Sequence, residues 1–164
     1  MRNKNLEDIF QKLAEQKSEL IERLVSFVLT DTILYLPNEA SVDDKIRQVN
    51  LLLKTKFVRV DGLDVPLENV SQQQFVRQYL SECAAEKVAF IYLAATEIRS
   101  VLLAVLWVEA KIDAKEVFDN AFFEEIEEQK QWGEVEEIKE RNELIKDKLN
   151  DLEKWRDERS LFKN

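Results

Sequence analysis

VAFIYLAATEIRSVLLAVLWVEAKI, residues 88–112, is the longest apolar run of the chain. A membrane-spanning helix needs about 20 predominantly apolar residues, and this run is long enough. However, Glu97 and Arg99 would lie near the centre of the bilayer, where a charged side chain costs on the order of 3 kcal/mol. We therefore predict no membrane insertion. The run is expected to form one central helix, buried by other helices on most of its circumference, with Glu97 and Arg99 at the edge of the buried surface.

The composition predicts a mainly α-helical fold. The chain has 164 residues, of which 45% are hydrophobic and 35% charged, as in folded proteins with a charged surface. Two glycines and two prolines leave little sequence for tight turns. We expect a single helical domain over residues 1–164, built as a multi-helix arrangement around the buried central helix, with at most a short two-stranded element.

The net charge of −9 and the pI of about 4.8 limit the classes of partner. Nucleic acids and anionic membrane surfaces attract basic proteins, so neither is an expected partner. A basic or neutral protein partner fits the charge. An acidic surface that serves only solubility is an equal alternative.

The chain contains one cysteine, Cys83. It can form no intramolecular disulfide, which favours a reducing compartment, and we expect a packed thiol on a helix face. The first eight residues, MRNKNLED, contain neither the apolar core of a secretory signal nor the acid-poor composition of an organelle presequence. The predicted location is the bacterial cytoplasm, or the mitochondrial matrix if the protein is eukaryotic.

The residue types present argue against catalysis. The chain has no histidine, which is the commonest general base and metal ligand. One cysteine cannot build a structural zinc site, and two distant glycines cannot form a phosphate-binding loop. The acidic cluster at residues 124–128 lacks the spacing of a calcium loop, so a solvated helix face is the better interpretation. We predict a protein that is not an enzyme and that binds no metal and no cofactor.

Hydrophobic periodicity predicts further helices. Residues 5–29 have the pattern of one long amphipathic helix. The alternating segment at residues 57–60 predicts a strand that ends at a turn. Ser71, with Gln74 three residues later, fits a capping box for the next helix, and Asp113 can cap another.

A heptad-like apolar stripe begins near residue 134. It predicts a C-terminal amphipathic helix. Such a stripe can fold back on the domain or pair with the helix of another chain, and the sequence leaves both possibilities open.

Two stretches resemble a known family. They are SVLLAVLWVEAKIDAKEVFDNAFFEEIEEQKQWGEVEE at residues 100–137 and TDTILY at residues 30–35. Together they are similar to the C-terminal helical domain of the assembly chaperone that binds the alpha subunit of the F-type ATP synthase catalytic head. The resemblance covers about residues 20–138, and residues 139–164 form an extended C-terminal amphipathic helix beyond it.

The chain also departs from the family pattern. Arg99 stands where the family usually has glycine, and Lys111 replaces a second glycine. The family's N-terminal β-rich domain has no counterpart before Leu6, so we expect a shortened member or an excised domain.

The positions that fall in register with the family are Ser100, Glu109, Asp113, Phe118, Glu125, Trp132, Gly133 and Glu134.

The resemblance implies a chaperone and not a catalyst. It implies that the partner is the ATP synthase alpha subunit, held until a beta subunit takes the chaperone's place. We also expect the protein to be monomeric. The alternative is an acidic helical or coiled-coil protein-interaction module with no chaperone role.

The resemblance also implies which residues bind the partner: Trp132, Gly133, Glu134, Glu125 and Asp31. Trp132 would pack at a bend that Gly133 permits, and Glu134 would present a carboxylate to the client. In the alternative interpretation, Trp132 anchors the core and Glu134 only begins the final helix, where the helix dipole favours an acid. Asp31 is either a functional surface acid or a helix cap, and we favour the cap.

Overall fold

The structure, a computed structural model, describes residues 4–36, 40–60, 65–133 and 135–161. Within these ranges the chain is predominantly helical and has no strand, which confirms the mainly α fold. A 3-10 turn, Val28–Thr30, follows the second helix. The helices are α1 (Lys4–Ala14), α2 (Lys17–Phe27), α3 (Thr32–Tyr35), α4 (Ala40–Leu53), α5 (Leu67–Val70), α6 (Gln73–Glu82), α7 (Ala85–Ile98), α8 (Val101–Val108), α9 (Ala114–Ala121), α10 (Phe123–Trp132) and α11 (Glu136–Glu158).

The apolar run at residues 88–112 is largely buried, but the prediction that it forms one helix is wrong. Arg99 separates α7 from α8, because it adopts a left-handed conformation with φ of 59°. Ser100 then caps α8, and its Oγ accepts a hydrogen bond from the N–H of Leu103 at 3.0 Å. Arg99 is exposed and Glu97 partly exposed, as expected for the edge of the buried surface. Among the described helices, none is both long enough and apolar enough to cross a membrane.

The prediction of one helix over residues 5–29 is also wrong. The helix stops after Ala14 and resumes at Lys17, with Glu15 and Gln16 in a turn. α1 packs against α7, whereas α2 packs against both α6 and α7. The two halves of the apolar stripe therefore have different neighbours, and the turn allows each half to follow its own.

Residues 57–60 do not form the predicted strand, and no strand pairs with them in the described part of the chain. Side-chain amides take the place of a partner strand. Asn50 bonds both the N–H and the C=O of Phe57, at 2.9 and 3.1 Å. Asn69 does the same for Val58, at 2.8 and 2.9 Å. The backbone groups of Phe57 and Val58 are therefore satisfied by side chains of α4 and α5 instead of by a sheet, and the N–H of Val60 donates to the C=O of Leu34 at 2.8 Å.

The two predicted helix caps have different outcomes. Asp113 caps α9, since its Oδ1 accepts from the N–H of Glu116 at 2.9 Å. Ser71 does not cap α6, and the predicted capping box is wrong. Ser71 lies in the turn after α5, where its Oγ donates to the C=O of Glu68 at 2.8 Å, and Gln72 occupies the N-cap position of α6.

The C-terminal helix α11 folds back onto the other helices. Its second half contributes Leu149, Leu152 and Trp155 to the same hydrophobic core as the central run. The ring of Trp155 stacks on Phe10 of α1, with 3.7 Å between the ring centroids. The first half of α11 has no buried residue. Of the two possibilities for the heptad-like stripe, the structure shows the one in which it packs on its own domain.

We predict that Arg99→Gly is more stable than Arg99→Ala by about 1 kcal/mol, because only glycine adopts the left-handed conformation without a steric cost. Both variants lose the 2.9 Å ion pair of Arg99 with Glu125, so the comparison isolates the backbone effect. Urea unfolding of the two variants side by side measures the difference. Equal stabilities would contradict a left-handed residue between α7 and α8.

Candidate functional site

The connection between α10 and α11 forms what we name the Trp132 corner, composed of Trp132, Gly133 and Val135. The N–H of Gly133 donates to the C=O of Gln129 at 2.8 Å and closes the last turn of α10. Gly133 has φ of 87° and ψ of 161°, a backbone conformation that residues with side chains rarely adopt. A Cβ at this position would meet nothing within 4 Å. The corner therefore requires glycine for its backbone angles and not for lack of space.

The Trp132 corner is open to solvent. Trp132 is 78% exposed and Val135 is 56% exposed, and α10 contains no buried residue. The alternative in which Trp132 anchors the core is therefore wrong. Val135 was not among the predicted residues, although an apolar side chain between two glutamates is a visible signal. Glu134 lies outside the described residues.

Glu125 connects the first turn of α10 to the break between α7 and α8. Its Oε1 accepts from Nη2 of Arg99 at 2.9 Å, and the Arg99 guanidinium lies 5.8 Å from the ring centroid of Phe122. The Glu125 side chain is about one third exposed. This ion pair is one contact between the start of α10 and the break between α7 and α8, while the other end of α10 carries Trp132.

Asp31 is completely buried, so the hypothesis of a surface acid is wrong and its alternative, a helix cap, is confirmed. Its Oδ1 accepts from the N–H of Ile33 at 3.2 Å, which caps α3, and from Oγ of Ser100 at 2.6 Å. Its Oδ2 accepts from the N–H of Leu102 at 2.9 Å. One carboxylate therefore joins the start of α3 to the first turn of α8. It also couples the two stretches that carry the family resemblance.

Burial raises the pKa of Asp31 from its ordinary value of 3.8 to about 6. Removal from water has the largest effect, because it favours the neutral acid over the carboxylate. The hydrogen bonds from Ser100 and from the backbone N–H groups of Leu102, Ile33 and Val101 act in the opposite direction, since they stabilise the charged form.

The same arrangement of helices occurs in solved structures. Atp12 from Paracoccus denitrificans matches with a TM-score of 0.74 at 17% sequence identity, over 90% of this chain and 67% of that chain. A point mutant of Paracoccus denitrificans Atp12 matches with a TM-score of 0.72 at 18% identity, over 89% and 66% of the two chains. The chain has the Atp12 fold. The resemblance seen in the sequence is confirmed at this level.

A third structure agrees with the Atp12 fold. The Atu1473 protein of Agrobacterium tumefaciens, described as a candidate chaperone, matches with a TM-score of 0.65 at 25% identity, over 86% of this chain and 58% of that chain. This chain spans about two thirds of the length of the Atp12 structures. No protein-family model and no curated protein matches the sequence. The roles of individual side chains therefore have to be argued from this chain's own geometry.

A cavity of about 680 Å³ lies on another part of the Atp12 fold, between α6, α7 and the end of α11. Lys87 and Glu109 form an ion pair beside it, and the Tyr79 hydroxyl donates to Oε1 of Glu109 at 3.1 Å. Burial raises the pKa of Tyr79 and that of the Cys83 thiol, so neither group is an activated nucleophile at neutral pH. Cys83 is buried, as predicted for a packed thiol. Across the described ranges, no group of three or more His, Cys, Asp or Glu side chains is placed to hold a metal ion.

We predict that Asp31→Ala lowers the free energy of unfolding by about 2–4 kcal/mol, because it removes the cap of α3 and leaves the buried N–H of Leu102 and the Ser100 hydroxyl without their acceptor. The matched control is Asp113→Ala, which removes a solvent-exposed cap and is expected to cost about 1 kcal/mol. Urea unfolding at pH 7 measures both variants. If the two substitutions lower the free energy of unfolding by the same amount, Asp31 does not join α3 to α8.

We also predict a pH dependence of stability that belongs to Asp31. The folded protein keeps the Asp31 proton up to about pH 6, whereas the unfolded chain releases it near 3.8. The stabilising contribution is therefore fully present below about pH 4 and is lost as the pH rises through about 6. A shift of this size corresponds to at most about 3 kcal/mol.

The permanently neutral Asp31→Asn variant is the reference for this measurement. Unfolding free energies of the wild type and of Asp31→Asn are compared across the acid and neutral range. We expect the wild type to lose stability relative to the variant as the pH rises. Parallel profiles would contradict a raised pKa for Asp31.

Proposed function

We propose that this chain is a chaperone for assembly of the ATP synthase catalytic head, and that it holds the unassembled alpha subunit. The observation that carries the proposal is the Atp12 fold combined with a tryptophan that is 78% exposed at a glycine-fixed corner. A fold of this kind that presents an exposed aromatic side chain suits the binding of a protein surface. We propose that it acts as a binding protein and not as an enzyme, in the bacterial cytoplasm or, in a eukaryote, in the mitochondrial matrix.

The physical basis of binding is burial of the Trp132 corner against the client. Tryptophan is among the side chains that most often dominate the free energy of binding at protein interfaces, since it brings a large area with few rotatable bonds. Val135 extends the apolar contact beside it. An unassembled subunit exposes apolar surface that would otherwise aggregate, and a chaperone that covers this surface prevents aggregation.

The proposed partner-binding residues are Trp132, Gly133, Glu134 and Glu125. Trp132 makes the apolar contact, and Gly133 sets the direction of the chain at the corner. Glu134 would offer a carboxylate to a basic or amide-rich patch of the client. Glu125 would act through position, because its ion pair with Arg99 holds α10 in place. Asp31 is not included, since its carboxylate is buried.

The chaperone is proposed to be monomeric. The coiled-coil alternative needs the apolar stripe of α11 to be free for a second chain. However, Leu149, Leu152 and Trp155 of that stripe lie in the chain's own core. Separating them from the core would expose three large apolar side chains, each worth about 1.5–3 kcal/mol when buried.

We predict that Trp132→Ala weakens binding to the alpha subunit by about 30-fold, which corresponds to the 2 kcal/mol typical of a dominant interface tryptophan. The measurement is co-purification and titration with the ATP synthase alpha subunit, produced without beta. Leu67→Ala is the matched control, since Leu67 is a large apolar side chain on α5 that is 81% exposed.

Both variants should keep the wild-type melting temperature, because neither side chain contributes to the core. Failure of the wild-type chain to bind the alpha subunit when beta is absent would refute the proposed function. Equal binding by the two variants would refute the role of the corner. A dimer detected by light scattering would favour the coiled-coil alternative.

A further inference from the structure

A groove runs between α10 and α11, with α9 along its side; we name it the α10–α11 groove. It consists of two adjoining cavities of about 300 and 250 Å³ that share Phe118, Asp119 and Lys146 among their lining residues. In the described part of the chain, one side-chain hydrogen bond joins α10 to α11, from Nδ2 of Asn142 to Oε1 of Gln129 at 3.4 Å. Neither α10 nor the first half of α11 has a buried residue. The two helices therefore border the groove without closing it.

One face of α11 lines this groove. Its lining positions, 139, 142, 143, 146 and 150, recur at intervals of three and four residues and so lie on one side of the helix. Lys139 and Lys146 on this face, and Lys115 on the α9 side, form no ion pair within the described residues. Lys148, which does not line the groove, pairs with Glu97 at 3.6 Å. The groove therefore carries ammonium groups that are available to a ligand.

The apolar part of the groove is formed by Phe118, which is buried, and by Ile126, which is half-buried. Nζ of Lys146 lies 4.8 Å from the ring centroid of Phe118. Such a contact positions an ammonium group without neutralising it, so Lys146 remains able to bind a carboxylate. An apolar side chain of a ligand could lie against the half-buried Ile126 while a neighbouring carboxylate reaches the Lys146 ammonium.

Side-chain amides provide the third element of the groove. An amide can bind both the N–H and the C=O of a peptide unit, and Asn50 and Asn69 do this for residues 57 and 58 of the chain itself. The amides that line the groove are Gln129, Asn142 and Asn150.

We propose that the α10–α11 groove binds an acidic, extended segment of the client polypeptide, with one apolar side chain of that segment against Ile126. The inference rests on the proposed function, because the client is the protein held by the Trp132 corner. Positions 139 to 150 of α11 span about 16 Å at a helical rise of 1.5 Å per residue, which accommodates about five extended residues. Gln129 lies three residues before Trp132, so the groove leads toward the corner.

The charge of the groove selects an acidic segment. The chain as a whole has a net charge of −9, yet three lysines and two carboxylates, Asp119 and Glu143, line the groove. An acidic segment therefore meets an excess of positive charge here and repulsion over most of the remaining surface. Complementary charges of this kind fix where and in which register a partner binds.

The test uses the full chain with both Lys139→Glu and Lys146→Glu, which we name the groove variant. Titration with the alpha subunit is expected to show that the variant binds about tenfold more weakly than the wild type, because two attractions become repulsions. The difference in affinity between the two proteins should be larger at low salt, where these charges are less screened. The matched control combines Lys111→Glu with Lys154→Glu, two exposed lysines outside the groove that give the same change of net charge. The control should bind as the wild type does.

A second probe does not depend on the alpha subunit. It is a fluorescent peptide of about eight residues in which glutamate alternates with leucine, and its counterpart in which lysine replaces glutamate. The wild-type chain should bind the glutamate peptide and not the lysine peptide. The groove variant, in which the charge of the groove is reversed, should lose the glutamate peptide and bind the lysine peptide in its place. Equal binding of the two peptides, or no binding of the glutamate peptide, would overturn the groove as an acid-binding site.

The two proposals fail in different ways. If the groove variant binds the alpha subunit as the wild type does while Trp132→Ala does not, the groove proposal is wrong and the proposed function stands. If the wild type binds the glutamate peptide but never the alpha subunit, the proposed function is wrong and the groove remains a binding site for acidic segments.

Discussion

The carboxylate of Asp31 is the buried contact that joins the start of α3 to the break between α7 and α8. It holds the first turn of α8 through Ser100 and Leu102, and it caps α3 from the same position. The backbone N–H of Thr32 also donates to the C=O of Arg99, at 3.2 Å. Two neighbouring residues, Asp31 and Thr32, therefore join the start of α3 to the break between α7 and α8. With Ser100 fixed from inside, the left-handed Arg99 points its charge outward, where Glu125 receives it. The buried acid thus fixes the break between α7 and α8, and the Arg99–Glu125 ion pair adds one contact from this break to α10, which carries the Trp132 corner at its other end.

The helices on the two sides of the Arg99–Glu125 ion pair differ strongly in burial. Every residue of α8 is buried, whereas α10 has none and touches the core through partly buried side chains such as Phe123 and Ile126. Elements with few buried apolar contacts open at lower free-energy cost than the core does. An element of this kind can change shape while the rest of the domain stays folded, which suits the proposed binding role. The fixed features of the corner are local: the closed last turn of α10 and the backbone angles of Gly133.

The sequence predicted which residues are buried, but it did not predict where the helices break. The run at residues 88–112 is apolar enough to fix its place in the core, but the break within it follows from a left-handed conformation at Arg99, where glycine would have been the visible signal. Asp31 could be a cap or a surface acid, because an aspartate before a helix has the same pattern in both cases. Its partner Ser100 is distant in the sequence, so only the folded chain decides. The exposure of Trp132 was undecided for a similar reason, since an aromatic residue fits a core as well as an interface.

The same limit explains why the α10–α11 groove could not be predicted. The charges in and around the α11 stripe are mixed in sequence, with Lys139 and Lys146 among acids, and a mixed pattern normally indicates a solvated helix face. The periodicity of α11 places Lys139 and Lys146 on the groove together with Glu143, and it places Lys148 elsewhere, beside Glu97. The surface then presents an acidic helix that ends in an exposed tryptophan, next to a groove with lysines at its edges. If both proposed surfaces contact the client, a client that carried only basic or only acidic segments would satisfy one of them and be repelled by the other. The combination therefore favours a client with both, which is a stricter requirement than the exposed tryptophan alone could impose.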